Sequence, residues 1–193
     1  MMYASTLLPS LSLATSLAVP HPNDSLRVAR AAAAGRADSA AATRARAALA
    51  PASVDSIVIE KRARRLILFV GDSAARIYRV ALGNNPVGPK RVQGDGRTPE
   101  GLYVIDRRNP QSKFYRSLHI SYPNAVDRWL AAEQGLTAGG EVMVHGLSPA
   151  YAAQYGAEHV KWDWTEGCVA LTNAQIDEMW NAVADGTRIR ILP

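Results

Sequence analysis

Val54-Asp55-Ser56-Ile57-Val58-Ile59 is followed, after five residues, by Arg65-Leu66-Ile67-Leu68-Phe69-Val70-Gly71-Asp72-Ser73 and then by Arg76-Ile77-Tyr78-Arg79-Val80-Ala81-Leu82. Isoleucine, valine, leucine and aromatic residues make up most of each run, and such side chains suit a pleated, half-buried surface. Gly71-Asp72-Ser73 is a turn between two of them, so the second and third runs predict a hairpin. Downstream, Gly83 to Gly96 holds too many turn residues for regular structure. Thr98-Pro99-Glu100-Gly101 reads as a tight turn into a strand over Leu102 to Asp106. Further short strands are expected at His119 to Ser121 and Glu141 to Val144. Thr172 or Asn173 caps a helix with Ile176, Met179, Trp180 and Val183 on one stripe and Gly186 as its stop, and Thr187 to Leu192 closes the chain as a strand. Many short strands with one clear late helix predict a mostly β fold (β-rich α+β), built as a curved sheet or sandwich.

Upstream of Ser53 the composition changes. Leu7 through Val19 is a short apolar, hydroxyl-rich segment, and Ser16-Leu17-Ala18 suits a small-residue cleavage site, although no lysine or arginine precedes it. A signal peptide is expected over residues 1–20. Residues 21–52 read as an Ala/Arg-rich spacer, helical or disordered, because alanine offers little apolar surface with which to anchor on a core. The folded domain is expected over 53–193. Residues 1–52 carry five arginines against Asp24 and Asp38, whereas 53–193 carry 17 basic and 15 acidic groups. The body is close to neutral, which excludes a nucleic-acid surface of clustered cations. No apolar run is long enough for a transmembrane segment.

Cys168 is the one cysteine in 193 residues. It cannot form an internal disulfide, which leaves a buried inert thiol or a nucleophile. Gly167 before it permits close backbone approach, and the N–H groups of Gly167 and Cys168 are candidate donors to a reacting oxygen. His145, in Val142-Met143-Val144-His145-Gly146, ends an apolar stretch where a base would be held rigidly. The pair reads as a thiol and imidazole for acyl transfer, since an adjacent imidazole can accept the thiol proton and later protonate a leaving amine.

Thr98-Pro99-Glu100-Gly101-Leu102-Tyr103, Ile120-Ser121-Tyr122-Pro123-Asn124, Met143-Val144-His145-Gly146 and Thr165-Glu166-Gly167-Cys168-Val169 occur in this order. Over about residues 53–193 the chain resembles the L,D-transpeptidase (YkuD-type) catalytic domains, in the murein branch that includes the enzyme detaching outer-membrane lipoprotein from peptidoglycan. The resemblance implies a curved β-sheet sandwich with the C-terminal helix packed near the catalytic loop. It also implies acyl transfer on peptidoglycan stem peptides next to diaminopimelate, with Cys168 as nucleophile, His145 as base and Gly167 at the oxyanion site. No cofactor or metal is implied. The partners would be stem peptides or a wall-linked lipoprotein, and the location periplasmic or otherwise exported.

Two positions depart from the family pattern. Glu166 stands where most members have a second histidine, and a carboxylate there raises the thiol pKa unless it points away or pairs. Ala170 replaces a common arginine or asparagine, so Asn173 or Arg128 is a candidate for the missing substrate contact. Further substrate-binding candidates are Gly146, Thr165, Glu166 and His159. Trp162 and Trp164 either wall a peptide groove or pack in the core, and Tyr122 with Pro123 shapes the groove floor. His119 is structural or lines the groove, while Trp129 and Trp180 are assigned to core or loop packing. The Gly146 carbonyl or Asp163 would orient the imidazole. Gly135 to Gly140 and Ser148 to Lys161 are candidate lids.

Other readings of the same residues are a hydrolytic L,D-endopeptidase or amidase, a metal site of His145, His159 and Cys168, and a non-catalytic wall-binding domain. The metal reading lacks any short i, i+3 or i, i+4 ligand pair.

Overall fold

The computed structural model describes residues 48–193. The expected signal peptide lies outside the described residues, as does the spacer up to residue 47. Among the described residues there are eight strands: β1 (Val54–Glu60), β2 (Arg65–Val70), β3 (Ser73–Arg79), β4 (Gly101–Ser112), β5 (Tyr115–Ile120), β6 (Met143–His145), β7 (Val169–Ala170) and β8 (Val183–Leu192). They form one sheet in the order β3-β2-β1-β8-β4-β5-β6-β7. The final strand therefore sits in the middle, parallel to β1 and antiparallel to β4.

β4 makes the corner of this sheet. Gly101–Val104 pair with β8, whereas Ile105 onward pairs with β5 through a register shift between Ile105 and Arg107. A bulge of this kind bends the strand and increases local twist. The sheet curls until its two edges touch: past the end of β3, Ala81 exchanges both main-chain bonds with Ala170 of β7, and Leu82 O accepts the Thr165 N–H at 3.1 Å. The result is a mostly-strand curled sheet, a half-barrel with few helices, as the alternation of apolar residues predicts. Its inner face buries Ile59, Leu66, Leu68, Leu118, Val144 and Val169 in one cluster. Each such side chain contributes roughly 1.5–3 kcal/mol on burial.

The helices among the described residues are α1 (Ala125–Ala132), α2 (Pro149–Tyr155) and α3 (Asn173–Ala182), with a 3-10 turn over Gly156–Lys161. Thr172 caps α3 and forms a capping box with Gln175, and Ile176, Met179 and Ala182 enter the core. Gly186 does not stop this helix. α3 ends at Ala182, and Gly186 lies inside β8 with φ +87°. Trp129 also departs from expectation, because α1 turns its ring outward and leaves it 59% exposed. Trp180 packs against the core, with the guanidinium groups of Arg108 and Arg116 over its ring at 5.3 and 5.4 Å.

The irregular stretch between β3 and β4 is pinned by a buried cation. Lys61 Nζ donates to Gly88 O (2.5 Å), Thr98 O (2.9 Å) and Glu100 Oε1 (2.8 Å), and Thr98 Oγ1 accepts the Gly83 N–H at 3.0 Å. All three ammonium protons are thereby used, which offsets the cost of burying the charge. Among the described residues, no helix is long and apolar enough to cross a membrane.

Candidate active site

The β4–β7 half of the sheet has an apolar inner face and a polar outer one, and register determines which side chains share the outer face. Arg107 pairs with His119, His119 with Met143, and the Val144–Val169 pairing aligns Met143 with Cys168. In the adjacent row, Asn109 pairs with Ser117, Ser117 with His145, and His145 with Ala170. Residues opposite one another on neighbouring strands project to the same side. Cys168 and His145 are thus diagonal neighbours on the outer face, although 23 residues separate them along the chain. Both line a cavity of about 800 Å³.

The turn before Cys168 is closed by one side chain. Thr165 Oγ1 donates to Cys168 O at 2.7 Å and accepts the Gly167 N–H at 3.2 Å. The Gly167 N–H is therefore engaged, and of the two expected oxyanion donors it is the Cys168 N–H that this turn leaves uncommitted. Gly167 is required here: its φ is +130°, and a Cβ would lie 2.6 Å from Arg97 O. The sulfur accepts the Met143 N–H at 3.4 Å and donates toward Glu141 O at 3.6 Å. Burial pushes the Cys168 thiol above its ordinary pKa, while the Met143 N–H and the Lys90 ammonium pull it down and Glu166 and Glu141 raise it.

His145 is 2% exposed. Phe114 stacks on its ring at 4.5 Å, and Trp164 meets it edge-on at 5.9 Å. Nδ1 lies 2.6 Å from Gly146 O. A carbonyl can only accept, so Nδ1 carries the proton and the lone pair is on Nε2. Burial lowers the His145 pKa to about 4, against the opposing pull of the Gly146 carbonyl. At neutral pH the imidazole is an unprotonated base beside a protonated thiol. Asp163 takes no part in orienting it, because its carboxylate holds Arg64 Nη2 at 2.7 Å and the Leu82 N–H at 3.0 Å.

Of the other residues singled out from the sequence, Trp164, Thr165 and Glu166 line the cavity. Five do not. Tyr122 is in the core rather than a groove floor, its hydroxyl donating to Ala138 O at 2.9 Å. Trp162 lies outside the cavity, packed edge-on against Tyr155. Asn173 supports the main chain, with Oδ1 accepting the Leu147 N–H at 2.7 Å. Gly146 acts through its carbonyl, and a Cβ there would lie 2.6 Å from Asn173 Oδ1. His159 is 0% exposed and neither ring nitrogen has a hydrogen-bond partner. Burial lowers its pKa to about 4, and it does not share the cavity with Cys168 and His145. Arg128 is turned to Pro123 O at 2.5 Å.

Sequence reasoning missed Lys90, Phe114 and Ser117, which also line the cavity. The alternation Ser117-Leu118-His119-Ile120 carried a signal for Ser117, since it predicts a strand with one polar face. Nothing local marked Lys90, which is buried beside the site by its bonds to Asp95 Oδ1 (2.8 Å) and Val92 O (3.1 Å).

Residues 55–191 match the YkuD family, the L,D-transpeptidase catalytic domain. This chain belongs to that family. The L,D-transpeptidase domain is 32% identical over 133 residues to the Escherichia coli (strain K12) protein named "Putative L,D-transpeptidase YafK", a match spanning 66% of this chain and 46% of that one. Its fold is similar to the helical cell shape determining protein Pgp2 (K307A mutant) of Campylobacter jejuni, with TM-score 0.52, 21% identity, and coverage of 78% of this chain and 52% of Pgp2. An L,D-transpeptidase of Xylanimonas cellulosilytica aligns with TM-score 0.46 and 17% identity over 76% of this chain and 62% of that one. The chain spans about half the length of the relatives it matches. Over residues 55–191 the chain therefore carries an L,D-transpeptidase catalytic domain.

Proposed function

We propose that this domain transfers acyl groups of peptidoglycan stem peptides, at the bond next to diaminopimelate, through a thioester on Cys168 with His145 as base. The observation that carries this reading is the diagonal placement of the two side chains on one sheet face, both opening onto the same cavity. As the sulfur attacks the carbonyl carbon, its proton passes to His145 Nε2. Because burial disfavours both charged forms, proton transfer accompanies C–S bond formation instead of preceding it as a resting ion pair. The Cys168 N–H donates to the resulting oxyanion. Collapse expels the amine, which takes the proton from the imidazolium and leaves the thioester. An incoming amine then attacks, gives its proton to His145, and regenerates the thiol; water in its place gives hydrolysis. A wall-linked lipoprotein amine is one such acceptor. This substrate fits a domain carried to the envelope by the signal segment expected over residues 1–20.

The test is incubation with defined tetrapeptide, cross-linked and protein-linked muropeptides, with products identified by mass. Cys168→Ala should form none, and folded His145→Ala should lose at least about a hundredfold in turnover. Turnover retained by Cys168→Ala would exclude the thioester, and near-native turnover by folded His145→Ala would exclude the base.

A further inference from the structure

The row that holds Cys168 continues across Met143 and His119 to Arg107. Strands are about 4.8 Å apart, so the row extends roughly 14 Å from the sulfur's strand. Over its far end lies a second cavity of about 250 Å³, walled by Arg107, His119 and Glu141. Asn109, Glu141 and Met143 belong to both cavities, so the smaller space adjoins the larger one beside the nucleophile. The mechanism above makes no use of it.

Its chemistry points to an anion. His119 Nδ1 lies 2.5 Å from Asp106 Oδ1, an arrangement that orients the ring with Nε2 as the remaining polar atom. Arg107 Nη2 donates to both oxygens of Glu141 at 2.9 and 2.8 Å. A planar guanidinium presents five N–H groups and suits two-nitrogen recognition of a carboxylate; the Glu141 contacts use one nitrogen. The two side chains are 55% and 70% exposed, and pairs in that setting add little stability. A substrate carboxylate can therefore displace Glu141 at low cost. Glu141 is also tied to the site through its main chain: it has φ +56°, and its carbonyl accepts the Cys168 S–H.

We propose that this second cavity is a subsite for a carboxylate on the peptide that reacts at Cys168, with Arg107 as the specificity-determining cation and Glu141 as a built-in competitor that holds the guanidinium until substrate arrives. The ligand class is a peptide arm bearing a free carboxylate one to three strand widths, about 5–14 Å, from the reacting carbonyl.

The inference rests on Cys168 being the reacting atom, so the test measures equilibrium binding by the full chain carrying Cys168→Ala, where no chemistry intervenes. The probes are a stem tetrapeptide with free carboxylates and its fully amidated counterpart, titrated calorimetrically. Arg107→Met should weaken the carboxylate peptide about three- to fivefold and leave the amidated peptide unchanged. Glu141→Gln should tighten the carboxylate peptide about threefold by removing the competitor. Both side chains are exposed, and a far-ultraviolet spectrum confirms that the variants fold. Equal weakening of both peptides by Arg107→Met, or no change in either, would overturn the proposal. Failure of the native domain to turn over muropeptides would instead count against the thioester reading and leave this comparison standing.

Discussion

Acid should destabilise this domain through His159. Its imidazole is fully buried, neither nitrogen has a partner, and its pKa is lowered to about 4. In the unfolded chain the same group titrates near its ordinary value of about 6.5. Below that pH the unfolded state binds a proton that the folded state declines, so stability falls as pH drops from about 6.5 toward 4 and is unaffected above it. At about 1.4 kcal/mol per pH unit, the two and a half units separating the two states correspond to roughly 3 kcal/mol. That is a large share of the 5–15 kcal/mol typical of a folded domain. Carboxylates also titrate in this range, so the effect is isolated by comparison with His159→Leu, which fills the space and removes the titration. Urea unfolding of both proteins at pH about 7 and about 4.5 should show the stability difference moving by roughly 2–3 kcal/mol in favour of the leucine variant as pH falls. Parallel pH dependences for the two proteins, or a His159 ring resonance that titrates near 6.5, would refute the reasoning.

The resting thiol should be protonated at neutral pH: alkylation of Cys168 by iodoacetamide should keep rising with pH beyond the ordinary thiol range, and Glu166→Gln should move the curve to lower pH by removing a neighbouring negative charge. A plateau below pH about 7 would mean a preformed ion pair with His145 and contradict the neutral ground state. Gly146→Ala should cost about 1–3 kcal/mol in unfolding free energy and lower turnover, because its methyl group meets Asn173 Oδ1 at 2.6 Å and displaces the carbonyl that orients His145. Unchanged thermal stability together with unchanged turnover would show that the α3 N-terminus shifts freely to make room.

Legibility from the sequence followed apolar periodicity. β1 and β2 were readable because Val54 to Ile59 is rich in β-branched residues and Leu66 to Val70 is a continuous apolar run. β4 was read only to Asp106, since Arg107 to Ser112 carries charges, asparagine and proline where a strand signal would be apolar; tertiary pairing with β5 holds that segment extended. α1 was missed because its eight residues are too few for an apolar period to repeat, even though Asn124 and Asp127 form a capping box at its start. Gly186 looked like a helix stop for the same local reason that it suits a bent strand: both uses exploit positive φ.

Local chemistry was enough to single out Cys168 and His145 as candidates, because a lone thiol after glycine and a histidine before glycine at the end of an apolar run each draw attention through adjacent residues, and both line one cavity. Folding in three dimensions determined the surroundings. It spent the Gly167 N–H on Thr165, drew Tyr122, Trp162 and His159 away from the cavity, and brought Lys90 and Phe114 to it. The physical reason is that strand periodicity tells which side chains share a face within one segment, whereas the register between distant strands is set by how the whole sheet closes.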